Sequence, residues 1–229
     1  MAFTVVFIKI SASIAKKAAI MTLNSLIHNR TQVQQNFYRV SLLSLGVKSV
    51  AIKSLLSMGS NRIQELVTPS SALAALNDPW QIVVLDGAVV PSAAALQIRK
   101  WGLVEALARR VQQGNSLLAC GESAIALGFG ELDGNVRGLG VAPFRIGRAV
   151  GDCEIGLREI DSRNTDRAWF SHDYLIIPSM QRQDPSENFS FSYGDVRCIT
   201  FDPARSGVYG RSFVCQWISS CIAIKGEAA

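Results

Sequence analysis

Two histidines, His28 and His172, are all the imidazole this 229-residue chain has, and its five cysteines include no Cys-x-x-Cys pair. A histidine- or cysteine-built metal centre therefore has too few ligands, and neither a metal nor a cofactor is expected. The cysteines, Cys120, Cys153, Cys198, Cys215 and Cys221, are odd in number, which argues against a disulfide framework and for a reducing, cytoplasmic compartment. Apart from Cys120, they read as small buried hydrophobes. No uncharged apolar run reaches the roughly 18 residues of a membrane span, because Lys9 and Lys16-Lys17 interrupt the N-terminal stretch. No basic stripe interleaved with aromatics is present, which argues against nucleic acid as a partner.

Acidic residues are missing altogether from residues 1–37, which carry Lys9, Lys16, Lys17 and Arg30. The other residues hold 19 basic against 18 acidic side chains, so most of the net charge of +5 resides in this segment. Three readings stay open for it: an organelle targeting segment, a start artefact or dispensable extension, and an added structural element. The domain proper is expected over residues 38–229. With 48% hydrophobic residues and 18% charged, it can bury a full core.

From Tyr38 onward the pattern alternates strand and helix. Val40 to Leu45 is an apolar run closed by Gly46; Val47, Ala51, Leu55 and Met58 then fall at helical spacing. Gln64 to Val67 and Ile82 to Leu85 read as strands, with a short helix over Ser71 to Leu76 between them. Pro91 opens what reads as one long helix to Gly114. Leu117 leads a further strand, and Glu122 to Leu127 a helix. Asp173–Ile177, Val196–Phe201 and Arg211–Trp217 read as antiparallel or irregular strands. The spacing predicts an α/β fold, a three-layer, doubly wound, mostly parallel sheet with ligands at the carboxyl ends of its strands.

Cys120 ends the run Leu117-Leu118-Ala119 and is followed by Gly121 and a helical segment. A sharp strand-to-helix turn exposes the residue at its bend and aims backbone N–H groups at what that residue attacks, so Cys120 is the candidate nucleophile.

Four segments in this order resemble the class I glutamine amidotransferases, and most closely the glutaminase subunit of imidazole glycerol phosphate synthase. They are Ser44-Leu45-Gly46-Val47-Lys48-Ser49-Val50, Val84-Leu85-Asp86-Gly87-Ala88-Val89, Leu118-Ala119-Cys120-Gly121-Glu122 and Gly138-Leu139-Gly140-Val141. The second falls where the family reads L-P-G-V-G and the third where it reads G-x-C-x-G. The resemblance implies a flavodoxin-like sheet. For intact relatives it also implies ammonia supply in histidine biosynthesis or a related pathway, to a synthase partner of barrel fold. It makes Gly87, Ala88, Val89, Gly121 and Glu122 the expected substrate-binding positions.

The same resemblance predicts impaired catalysis. The family's base and orienting acid come from an F-H-P-E motif, and the matching stretch is read as Phe213-Val214-Cys215-Gln216, after Tyr209-Gly210. Val214 and Gln216 would then occupy the places of the base and the acid, and neither can do that work. Glu122 replaces the glycine after the nucleophile, and Val89 replaces a glycine of the oxyanion loop. Losing the base alone typically costs on the order of 100- to 10,000-fold in rate. His172 is the one alternative base, and with it Cys120 would make a working amidotransferase or thiol hydrolase. The third reading is a stand-alone binding protein with a small-molecule pocket near Gly87, Cys120 and Glu122.

Overall fold

The computed structural model describes residues 39–46, 50–57, 62–149, 155–161, 164–178 and 189–227. The expected extension over residues 1–37 lies outside them.

Four apolar runs form the centre of the sheet. These are β1 (Val40–Ser44), β3 (Ile82–Asp86), β4 (Leu117–Cys120) and β10 (Val196–Ile199), with β2 (Ile63–Glu65) and β9 (Ser190–Tyr193) at the edges. The order is β2-β1-β3-β4-β10-β9; every pairing is parallel except that of β9 with β10. Continuous apolar runs suit such strands because both faces are covered. Side chains alternate between two cores. Leu43, Leu85, Leu117 and Ala119 pack under α2 (Pro69–Asn77), α3 (Pro91–Lys100), α4 (Val104–Gln112) and α5 (Glu122–Ile125). Leu42, Val84, Leu118 and Cys120 pack on the other side, against α1 (Val50–Ser57) and α6 (Gly207–Glu227). Each large aliphatic side chain fully buried here contributes roughly 1.5–3 kcal/mol. The remaining strands pair as antiparallel ribbons: β5 (Phe144–Arg148) with β8 (Tyr174–Pro178), and β6 (Gly156–Asp161) with β7 (Asn164–Phe170).

The three-layer, mostly parallel α/β sheet is as expected, and three local readings are corrected. The single helix from Pro91 to Gly114 is two, because Gly102 at φ 67° ends α3. There the Gly102 N–H bonds the Arg99 carbonyl at 3.0 Å and the Leu103 N–H bonds the Ile98 carbonyl at 3.1 Å, a glycine-terminated helix end. Val196–Ile199, expected as antiparallel or irregular, pairs antiparallel with β9 on one side and in parallel with β4 on the other. Arg211–Trp217, expected as a strand, lies inside α6. Its aromatic and β-branched content suggests a strand, but Val214, Trp217, Ile218 and Cys221 are buried at helical spacing along one stripe. Gly210 lets that helix approach the chain before it, since a Cβ there would lie 2.0 Å from the Pro203 carbonyl oxygen. Among the described residues no helix is long and apolar enough to cross a membrane.

Candidate functional site

The carboxyl ends of β3, β4 and β10 meet at the turn into α5, and the bend of that turn is Gly121. Its φ of 53° and ψ of −128° are a conformation that costs a side-chain-bearing residue about 1–3 kcal/mol. The Gly121 N–H is held by the Ile199 carbonyl at 2.8 Å, which fixes the bend to β10. A Cβ built on Gly121 meets nothing within 4 Å beyond its chain neighbours. Gly121 is itself buried, so the position that such a turn lifts out of the sheet has room for a side chain and carries none.

Cys120, expected at the bend, is one residue short of it. As the last residue of β4, it points by alternation into the core beneath α6, where it is 1% exposed in the cluster that includes Val84, Ile199 and Val214. Burial pushes its thiol pKa well above the ordinary value, and the Asp86 and Asp202 carboxylates push it further. A thiol held neutral and enclosed is a poor nucleophile.

The expected binding positions are distributed around this bend. Glu122 opens α5, and its carboxyl accepts a hydrogen bond from the Ser171 hydroxyl at 2.6 Å. Burial raises its pKa, while bonds from Ser171 and from its own backbone N–H oppose the shift. In a strand-turn-helix elbow the N–H following the bend is an oxyanion donor, and here the residue that carries it, Glu122, brings a carboxyl beside it. Gly87, at φ 84°, turns the chain out of β3; Ala88 packs against the core and Val89 is 65% exposed. Asn135 is the one described non-glycine residue with positive φ, so Val89 sits in ordinary backbone without strain.

The residues read as replacing base and acid do not share the site. Val214 is fully buried on the core-facing stripe of α6, in the same cluster as Cys120, and Gln216 is on the exposed side of that helix. The carboxyl end of β10, next to that of β4, instead carries Phe201-Asp202-Pro203-Ala204. This stretch has the Phe-x-Pro spacing of the F-H-P-E pattern, with Asp202 between Phe201 and Pro203 and Ala204 after them. The Asp202 carboxylate influences both Cys120 and Glu122, which places it at the bend. It is committed locally, accepting from the Ala204 and Arg205 N–H groups at 2.9 and 3.2 Å. Its backbone pairs with Trp169, whose ring lies 3.9 Å beneath the Arg205 guanidinium. The sequence signal for Asp202 is the Phe-x-Pro spacing. Ser171 and Arg205 have none.

His172 follows Ser171 and is 8% exposed. Its Nδ1 accepts the Tyr174 backbone N–H at 3.1 Å, so the neutral ring carries its proton on Nε2, which has no partner. Neither nitrogen is free to take a proton. Burial also pulls the pKa down to about 4. Between pH 6.5 and 4 the unfolded chain binds a proton that the folded chain refuses, so His172 makes stability fall on acidification. Urea titrations at pH 7 and pH 5 should show a His172-dependent loss of about 2 kcal/mol in the native chain that is absent in His172→Gln. An equal loss in both would mean that His172 titrates normally.

Among the described residues no three His, Cys, Asp or Glu side chains gather as a metal site requires.

No family model matches the chain, and no curated protein matches it. Solved structures do. A glutamine amidotransferase superposes with a TM-score of 0.60 at 14% identity, covering 80% of this chain and 98% of that one. A candidate GMP synthase protein from Thermoplasma acidophilum superposes at 0.55 with 15% identity, covering 83% and 96%. With its parallel sheet, strand-turn-helix bend and two helical layers, the described chain has the fold of the glutamine amidotransferases.

Proposed function

We propose that this chain is a class I glutamine amidotransferase-like protein without thiol catalysis, acting as a binding or partner subunit. One observation carries the reading: the bend where a nucleophile would stand is Gly121, and Cys120 beside it faces the core. Covalent glutamine hydrolysis needs a thiolate, a base that takes its proton and donors for the oxyanion. The corresponding positions here are a residue without a side chain, a locally bonded carboxylate at Asp202 and an N–H whose own residue, Glu122, brings a carboxyl beside it. The negative charge of Asp86 and Asp202 further opposes the build-up of an oxyanion. Closeness to the glutaminase subunit of imidazole glycerol phosphate synthase belongs to this proposal. So does a synthase partner of barrel fold, to which an amidotransferase-like subunit could remain bound after its own chemistry was lost.

The alternative, a thiol hydrolase using Cys120 and His172, has against it the burial of the thiol and an imidazole whose Nδ1 is already bonded and whose Nε2 already holds its proton. A chloroketone analogue of glutamine, which alkylates the nucleophile of a working glutaminase, separates the two. Peptide mass mapping after incubation is expected to find Cys120 unmodified. Stoichiometric, glutamine-protectable labelling of Cys120 would overturn the proposal.

A further inference from the structure

The segment that follows α5 builds a second concavity, away from the bend at Gly121. One cavity of about 330 Å³ is walled by Val111, Phe129, Val141, Pro143 and Tyr193. A second, of about 410 Å³, adjoins it at Phe129 and Gly140 and is edged by Glu131 and Arg137. Both are of small-molecule size.

Three features distinguish this cleft from ordinary surface. First, Phe129 and Tyr193 are 52% and 51% exposed, and neither ring stacks on another aromatic among the described residues. Second, Phe129 is seated, not loose: a Cβ on Gly140 would come within 2.7 Å of its ring, so the ring lies on bare backbone. Such a ring is already ordered, and a ligand stacking on it loses little side-chain freedom. Third, Glu131 and Arg137 face each other across an antiparallel bridge, flanked by the bonds from Leu132 N–H to the Val136 carbonyl at 2.7 Å and from Gly138 N–H to the Gly130 carbonyl at 2.8 Å. In this non-hydrogen-bonded register side chains stand closest and opposite charges ordinarily pair. Among the described residues these two form no ion pair, and both line the cavity.

An apolar wall with two flat rings, next to one unspent cation and one unspent anion, complements a zwitterion that bears an aromatic group. We infer that this cleft binds a free aromatic α-amino acid, its ring against Phe129 and Tyr193, its carboxylate toward Arg137 and its ammonium toward Glu131. A carboxylate can take two parallel bonds from a guanidinium, which gives the ligand a fixed orientation. The inference is independent of the fate of the bend at Gly121.

Calorimetric titration of the full chain with L-phenylalanine tests it. Saturable binding is expected, weakened tenfold or more for N-acetyl-L-phenylalanine and for L-phenylalanine amide, each of which lacks one charge. Phe129→Ser and Arg137→Gln alter exposed positions; each should weaken binding at least tenfold while leaving the melting temperature near that of the native chain. Absence of saturable heat with L-phenylalanine at millimolar concentration would overturn the inference. So would equal affinity for alanine, or for the doubly capped N-acetyl-phenylalanine amide, which would mark a peptide groove instead.

Discussion

Replacing Arg110 with methionine is expected to destabilise the chain by roughly 3–5 kcal/mol, because it strips a buried polar centre of its main donor group. Arg110 is 1% exposed, and its guanidinium donates to the carbonyls of Ala75, Leu76 and Asp78 at 3.0 Å each, of Ser116 at 3.0 and 3.2 Å, and of Gln81. It therefore closes the end of α2, the loop into β3 and the start of β4 with one planar group. Other donors reach part of this centre: Lys225 donates to the Pro79 carbonyl at 2.7 Å and the Gln81 carbonyl at 3.3 Å, the Gln81 N–H to the Asp78 carbonyl at 3.2 Å and the Val83 N–H to the Ser116 carbonyl at 3.1 Å, so the Ala75 and Leu76 carbonyls depend most on Arg110. Burial lowers the Arg110 pKa to about 10, which still leaves the group charged at pH 7. Methionine matches much of the volume and none of the donors, so the Ala75 and Leu76 carbonyls would lose their partners, each at a cost of about 1–3 kcal/mol before relaxation. At roughly 2–4 °C per kcal/mol for a chain of this size, the melting temperature should fall by about 10 °C. A shift within a degree or two, measured by circular dichroism, would contradict the assigned role.

The second large effect concerns the bend itself. Gly121→Cys should create a thiol that iodoacetamide modifies at least about 100-fold faster than Cys120 in the same folded protein. A side chain at residue 121 has unfilled space around its Cβ although the backbone there is buried, whereas Cys120 is packed in the core and reacts only when the core opens. The substitution should also cost about 1–3 kcal/mol, because φ of 53° with ψ of −128° strains any residue with a Cβ. Site-resolved mass spectrometry over time gives both rates. Equal or inverted rates would put the bend at Cys120 after all.

How far the sequence can be read follows from what fixes each element. β1, β3 and β4 are short, apolar and closed by turn residues, so burial on both faces is visible in them. The helix end at Gly102 is hidden, since apolar spacing continues through Leu103 and Leu107 and only the glycine marks the break. α6 is disguised because Phe213-Val214-Cys215-Gln216-Trp217 has the local preferences of a strand, and packing against the sheet overrides them. The site is displaced for a related reason. A cysteine after three apolar residues draws the eye as a nucleophile, yet alternation along Leu117–Cys120 sends every second side chain to the opposite core. One residue of register decides whether a thiol stands at the bend or in the core with Val214. With the nucleophile placed one residue early, and the base sought on α6, the Phe-x-Pro spacing of Phe201-Asp202-Pro203-Ala204 has nothing to attach to. Glu122 is legible as an anomaly, but its bond to Ser171 joins residues 49 positions apart and leaves no local trace.

Glutamine-dependent ammonia release by the purified chain, alongside Cys120→Ala, measures most directly whether the proposed absence of thiol catalysis holds. The expected result is a rate indistinguishable from buffer in both proteins. Steady turnover in the native chain that disappears in Cys120→Ala would contradict it.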